Sequence, residues 1–598
     1  MKKILLLLFL FCNLVGLAQA NATYQKTWAT YFGGQGTRIV NSAIDSNHNI
    51  IVAGVIIGGS VNALQDQAYY NQFATTTNPS YLYNSSRVSP SGTYSNQSIV
   101  AKFSPEGSLL ESKYLPLEIV MMKINKFDEV FISGTSTQNN IGTSGCWMSS
   151  PLAELTNGPQ NGVIAKLNVN FTIDWLTYLP TTSFGIFTLD NFDNIYASSF
   201  TNKNNSITTN DTFQPNFITE VDNDTGQNYA NGYLLKLNNL GQLQWATYCG
   251  LTTPQAISFN HNELLVSFQR QQSTLTAYDS YYFTADTYQQ TPSSQIISKF
   301  NATTGQRLYS TYLGNDNLSI TNIVGQDQDW YLLGNVYGTA FSDGNLISPY
   351  AFQTTFNGNQ DIYLGKFNAT GAPIWGTYIG GPDYEETSLQ SNLNVMDTSL
   401  YFSGFSYSSG VINNSNTYQS INQGNGDLFM MKFAETGIPI WGSYFGGNNT
   451  EEYGSVVPVT DDMFYWVGET YSQTSIATPM SYQANLSSNP SFNAFHLGNG
   501  FVAKFIPQNL ELPNFSFDDL ILYPNPAKGH FTIKANTELE GITFVTIYNA
   551  LGQKIATHEI DLTTDQYITV DHFESGVYYI AIKNKIANKS IQKKLILR

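Results

Sequence analysis

The chain has 598 residues, more than one ordinary core can use, so two domains or a large closed repeat array are expected. Apolar residues make up 42% and charged residues only 12%, which excludes a disordered chain and leaves Tyr, Phe, Asn, Thr and Ser in the proportions of β-rich extracellular proteins. The net charge is −17, and residues 21–509 carry 16 basic against 34 acidic side chains, so this stretch repels a phosphate backbone and nucleic acid is excluded as a partner.

The N-terminus reads Met1-Lys2-Lys3, then an apolar run from Ile4 to Leu17, then Ala18-Gln19-Ala20. A positive region, an apolar core and an A-x-A site predict a signal peptide cleaved after Ala20. The run is too short to span a bilayer and no later stretch reaches 18 apolar residues, so no transmembrane segment is expected. Phe11 precedes Cys12 where a lipobox carries a small residue, which argues against lipidation. Beyond the signal, Cys146 and Cys249 remain. Cys249 falls where the other repeats described below carry Phe or an aliphatic residue, so a small buried hydrophobe explains it better than a disulfide.

From Thr27 to Phe505 one phrase recurs: an apolar-Lys-apolar strand, a Gly turn, then Trp-x-Thr-Tyr-apolar. It reads KLNNLGQLQWATYCG at 236–250 and KFNATGAPIWGTYIGG at 366–381. The Lys occurs seven times, at 102, 166, 236, 299, 366, 432 and 504, with spacings of 63 to 72 residues. The Tyr also occurs seven times, from Tyr31 to Tyr444. Between successive phrases stands a polar turn and an apolar strand, as in DSNHNIIVAG at 45–54. Each unit thus offers about four short strands without helical periodicity, the pattern of a propeller blade. The first copy lacks its Lys strand and the last lacks its Trp-x-Thr-Tyr strand, so the two halves complete one another. An all-β fold is predicted: a seven-bladed β-propeller over residues 21–506, closed by its N-terminal strand. The units resemble the bacterial SBBP family, seven-bladed propellers with TYLGG-like strands, over roughly residues 24–506. Pro116, Pro180 and Glu111 depart from that pattern, and the resemblance implies a fold but no chemistry.

Residues 507–519 read as a linker, and a different alternating pattern begins at Leu520, predicting a small β-sandwich over 520–598. Tyr523-Pro524-Asn525-Pro526, Leu551-Gly552-Gln553, Gly576–Ile582 and Lys593–Leu597 (with Lys593 and Lys594 at the start of the last) stand in order. Together they resemble the type A C-terminal sorting domain of type IX secretion. The resemblance implies the type IX secretion machinery as a partner and passage through the outer membrane of a Gram-negative bacterium. It also implies removal of the domain and a product that is secreted or held at the cell surface.

Catalytic signatures are sparse. His48, His261 and His496 lie in different repeats without metal spacing, and no Gly-x-Ser-x-Gly elbow, phosphate loop or dinucleotide fingerprint has the required context. No catalytic residue, metal ligand or cofactor is assigned. Asp45-Ser46-Asn47-His48-Asn49 and Asp222-Asn223-Asp224 have alternating oxygen ligands but lack the Gly and distal Glu of a calcium loop, and read as turns. The adjacent pairs Glu385-Glu386 and Glu451-Glu452 read as solvated acidic turns. The seven Lys and the repeated Trp read as packing between blades. The connection from Gly54 to Lys102 is long enough to suggest function, and its Tyr69, Tyr70, Tyr81 and Tyr83 among small polar residues suit contact with a glycan or protein, and equally a self-packed loop. The expected function is a secreted or cell-surface, non-catalytic binding protein. The alternative is an extracellular polysaccharide hydrolase or lyase, with carboxylates converging at the channel mouth.

Overall fold

The computed structural model describes residues 24–56, 75, 97–508 and 520–598, less residues 35, 153–159, 205, 223–225, 272–275, 339–345, 390–392, 412–416, 461–462, 488–497, 536–541, 551–552, 562–563 and 585–589. The chain divides into two compact units, Met1–Gln508 and Asn509–Arg598. Among the described residues no helix is long and apolar enough to cross a membrane.

The first unit consists of antiparallel sheets in chain order. Sheet one runs Thr37–Ile44, Ile50–Ile56, Gln97–Phe103, Leu109–Leu115. Sheet two runs Glu118–Ile124, Val130–Ser136, Asn161–Leu167, Ile173–Tyr178. Sheet three runs Ile186–Leu189, Ile195–Thr201, Asn231–Leu237, Leu243–Tyr248. Sheet four runs Thr252–Asn260, Glu263–Arg270, Gln295–Asn301, Arg307–Tyr312. Sheet five runs Leu318–Gln326, Asp329–Tyr337, Gln360–Phe367, Pro373–Ile379. In sheet six the first strand is broken into Glu385–Glu386 and Asn394–Met396, both paired with Ser399–Ser406, followed by Asp427–Ala434 and Pro439–Phe445. Sheet seven joins Glu451–Thr460, Met463–Thr470 and Asn499–Pro507 to the N-terminal strand Tyr24–Phe32. Tyr24 pairs with Pro507 and Phe32 with Gly500, so Pro507 belongs to this last strand rather than to the linker.

The second and third strands of each sheet are covered on both faces, which is why they read as continuous apolar runs. The cores lie between neighbouring sheets: Tyr465, Val467 and Val502 of sheet seven pack with Ile50, Val52 and Ile99 of sheet one.

The repeated phrase has a physical reason at each position. The indole N–H of Trp28 donates to the Pro105 carbonyl (2.9 Å), Trp175 to Asn239 (3.0 Å), Trp245 to Ala302 (3.1 Å) and Trp375 to Glu435 (2.9 Å). Each bond reaches the turn between third and fourth strands of the next sheet. The Thr or Ser two residues further on accepts a backbone N–H from a Gln in the long loop: Gln214 on Thr247, Gln289 on Thr311, Gln353 on Thr377, Gln419 on Ser443 and Gln483 on Thr30. An aromatic residue precedes every one of these glutamines (Phe213, Tyr288, Phe352, Tyr418, Tyr482). The hydroxyl of the final Tyr donates to a carbonyl where the same loop leaves the second strand, as Tyr31 to Ser472 and Tyr444 to Ser408. The fourth strand is thus the clasp that holds the loop down.

The second unit has two ladders, one of Lys554–Asp561, Ile542–Asn549, Gly576–Asn584 and Ser590–Leu597, the other of Leu520–Lys528, His530–Ala535 and Gln566–Thr569. A single parallel pair, Ala527 with Leu597, links them. Phe531, Ile533 and Ile568 of one share a core with Val545, Ile580 and Leu595 of the other.

Candidate functional site: an acidic, tyrosine-lined cleft

The fourth strands of sheets five and six are each followed by Gly-Gly, a short turn and a Glu-Glu pair: Gly380-Gly381 before Glu385-Glu386, Gly446-Gly447 before Glu451-Glu452. The expectation of solvated acidic turns is overturned. Glu385 and Glu451 are fully buried. Strand alternation sends the first Glu of each pair inward and the second to a cleft.

The inward members meet buried aspartates. Glu385 accepts from Gly381 N (2.6 Å) and Ser406 Oγ (2.7 Å), and Glu451 from Gly447 N (3.0 Å) and Thr470 Oγ1 (2.7 Å). Asp361 accepts from Gln353 Nε2 (2.8 Å) and Asn357 N (2.9 Å), and Asp427 from Gln419 Nε2 and Gln423 N. The other oxygen of each Asp has no such donor. It crowds Gly380 or Gly446 together with the neighbouring glutamate, so a Cβ at either glycine would collide with both carboxyl groups. Burial, and then the charge of Glu385, pushes the Asp361 carboxyl up to about 7. Burial, reinforced by Asp427, likewise pushes Glu451 up to about 7.

The outward members line a cleft of about 420 Å³ with Tyr384, Tyr407, Tyr453, Asn359 and Asp383. Tyr384 donates its hydroxyl to Glu386 at 2.5 Å. Glu452 is paired across the strands with Glu469. Glu469 is held by Arg38 Nε at 2.8 Å, and the Arg38 guanidinium lies 3.6 Å from the Tyr453 ring centroid. Tyr453 has φ 55°, the left-handed region that a bulky residue enters only under constraint from its surroundings. Burial raises the Glu452 carboxyl above its ordinary range, with Glu469 adding to the effect and Arg38 opposing it. The arrangement can accept hydrogen bonds through carboxylates held beside aromatic faces, in a setting that disfavours a second negative charge. Thr37-Arg38, after Gly33-Gly34, stand in sheet one where Glu451-Glu452 stand in sheet seven, on a connection one residue shorter.

The other singled-out residues fall elsewhere. Asp45 Oδ1 accepts the backbone N–H of Asn47 (3.0 Å) and Asn49 (2.9 Å), and Asn125 and Asp190 do the same in sheets two and three, so this is a side-chain-capped turn. His48 and His261 occupy left-handed turn positions. Four of the seven repeated Lys side chains pair with acids of the second strand or its turn: Lys102 with Asp45 (3.3 Å), Lys166 with Glu129 (2.8 Å), Lys299 with Glu263 (2.9 Å) and Lys366 with Asp329 (3.0 Å). Cys146 and Cys249 are free thiols, the latter buried. Ala20, Tyr69, Tyr70, Tyr81, Tyr83, His496 and most of Asp222-Asn223-Asp224 lie outside the described residues. No group of three or more potential metal-ligating His, Cys, Asp or Glu residues occurs among the described residues.

In the second unit the opening and closing motifs meet. Asn525 donates to the Lys594 carbonyl (2.7 Å) and accepts from Ile596 N (2.9 Å), while Tyr523 donates to Asp565 (2.9 Å). Pro524 and Pro526 lie in the same strand, Gly576 opens the strand paired with Lys593 and Lys594, and Gly552 lies outside the described residues.

Residues 521–598 match the secretion system C-terminal sorting domain. The chain therefore carries a type IX export signal, has that secretion machinery as a partner, and is a secreted or cell-surface protein. Over 80 residues, 13% of its length, the chain is 39% identical to an endo-acting ulvan lyase of Formosa agariphila, of which the match spans only 15%. Among solved structures, a phage phi92 endosialidase is similar at TM-score 0.32 and 11% identity, over 94% of this chain and 87% of that one. A Dyadobacter fermentans protein of unknown function is similar at TM-score 0.32 and 7% identity, over 81% and 99%.

Proposed function

We propose that the first unit is a closed seven-bladed β-propeller that, once exported, binds an uncharged glycan in the Tyr384–Tyr453 cleft. Closure is supported by the pairing of Tyr24–Phe32 with Asn499–Pro507 and by the Trp28 bond to Pro105 in sheet one. The single observation that carries the binding proposal is the convergence of Glu386 and Glu452 with Tyr384, Tyr407 and Tyr453 in one cleft. Carboxylates accept hydrogen bonds from sugar hydroxyls, and tyrosine rings pack on the apolar faces of a pyranose while their hydroxyls stay wet. The acidic surroundings oppose an anionic polymer. The Tyr69–Tyr83 loop is a further proposed contact surface on the same protein.

A glycan array probed with the mature protein, followed by calorimetry on the hits, tests this. Glu386→Gln and Glu452→Gln should each weaken a neutral-glycan hit about tenfold, a loss of about 1.4 kcal/mol. Unchanged affinity in both variants, or hits confined to anionic glycans, overturns the assignment. A second activity, glycan hydrolysis, is favoured by one observation: Glu452 is a carboxyl with raised pKa that lines the same cleft as a second carboxyl, Glu386, and acid–base cleavage of a glycosidic bond uses two carboxyls. Release of reducing ends from neutral polysaccharides, abolished in Glu452→Gln, would establish it.

A further inference from the structure

A second cavity, of about 270 Å³, takes lining residues from the first strand of every sheet: Ser42 in sheet one, Met122 in two, Ile186 in three, Ile257 in four, Asn322 in five, Asn394 in six and Val457 in seven. Its walls are aliphatic side chains interrupted by amides and hydroxyls, and one charged residue, Lys123, stands among them. The register makes Lys123 an exception. Following the pairing inward from the seven repeated lysines, the first-strand position opposite Phe131 is Lys123 in sheet two. In the other sheets the same position is Ala43, Thr188, Ser258, Val324, Asn394 or Val457.

Among the described residues the Lys123 ammonium makes neither a hydrogen bond nor an ion pair, in contrast to Lys102, Lys166, Lys299 and Lys366, which are each neutralised by an acid. The side chain is exposed where it leaves the first strand of sheet two for the cavity, and partial desolvation there pushes its pKa below that of an ordinary lysine. In a unit with a large excess of acids, this is a cation without counter-charge, on a cavity wall that holds no carboxylate. An anion entering the cavity gains the charge interaction with no carboxylate on the wall to oppose it. Aliphatic neighbours favour a ligand with an apolar body, and the volume limits it to a small molecule.

We infer that this cavity is a binding site for a small organic monocarboxylate, whose carboxylate pairs with Lys123 and whose alkyl portion packs against Ile44, Val324 and Val457. The site is separate from the tyrosine-lined cleft and does not depend on the glycan assignment.

The test uses the mature full chain and two probes of matched shape, hexanoate and hexanamide, followed by saturation-transfer NMR. Hexanoate should bind saturably and hexanamide at least tenfold more weakly. Lys123→Met, which keeps length and loses charge, should lose at least tenfold in hexanoate affinity, while Lys123→Arg retains it. As an independent readout, mild reductive methylation with peptide mapping should label Lys123 in the wild type and be slowed by hexanoate but not by hexanamide. Equal binding of the two probes, no saturable binding of hexanoate to the wild type, or hexanoate binding to a folded Lys123→Met protein at wild-type strength would each overturn the assignment.

Discussion

The two buried Asp–Glu pairs make stability depend on pH in a direction opposite to that of a surface salt bridge. Glu451 holds its proton in the folded state up to about pH 7, whereas the same carboxyl in an unfolded chain ionises near its ordinary value of 4.5. Between those values the folded state binds the extra proton, so stability is full at low pH, falls as pH rises through this window, and stays reduced above it. Asp361 behaves in the same way, its folded value of about 7 standing above the ordinary 3.8 of an aspartate. The penalty for Glu451 is about 3 kcal/mol at pH 8. Glu451→Gln, an isostere without the charge, should therefore gain on the order of 2–3 kcal/mol in denaturant unfolding at pH 8 and nothing measurable at pH 4. A gain of equal size at both pH values would assign the effect to packing instead.

At the scale of the element, the fourth strand of sheets three, five and seven ties its sheet to two things at once: the loop of its own sheet and the turn of the next. Trp245 is 5% exposed and donates its indole N–H into sheet four. Trp245→Ala should cost about 3–5 kcal/mol by removing the ring from its core. Trp245→Phe should cost less, losing mainly a hydrogen bond worth about 1 kcal/mol and part of the ring volume. Guanidinium titrations of both variants measure the split. Equal costs would mean that the bond to Ala302, rather than ring burial, holds the neighbouring sheets together.

At the scale of the molecule, the N-terminal strand supplies the fourth strand of sheet seven. Deleting residues 21–34 removes that strand together with Trp28, exposing the edge of Asn499–Pro507. The whole first unit should then melt well below the wild-type temperature in calorimetry, and an unchanged cooperative transition would refute closure through this strand. The chain divides into two compact units, so export and fold should be separable. Removing residues 520–598 should leave a folded first unit in the periplasm, detected by fractionation and immunoblotting. The same truncated protein found outside the cell at wild-type levels would remove the export role from the second unit.

What the sequence determined by itself was everything carried by periodicity: four strands per unit, the order of the strands, the split of the last repeat across the two ends, and the four motifs of the second unit. Repetition exposes these because each sheet solves the same packing problem with the same residues. The capped turns at Asp45, Asn125 and Asp190 were legible for the same reason. The five aromatic-Gln phrases were also there to be found, but they lie in loops of uneven length and their purpose shows only in the hydrogen bonds to Thr and Ser. The cleft was misread, because Glu-Glu after Gly-Gly looks like solvent-exposed turn chemistry. Its meaning depends on which neighbour sits across the strand and on what lies under the glycines. Only the tertiary structure decides that Glu451 meets Asp427 in a dry interior while Glu452 meets Tyr453 in a cleft. Only it puts Lys123, one lysine among 27 basic residues, alone on an otherwise uncharged cavity wall. A side chain's charge is written in the sequence, but its solvation and its counter-ion are set by residues hundreds of positions away.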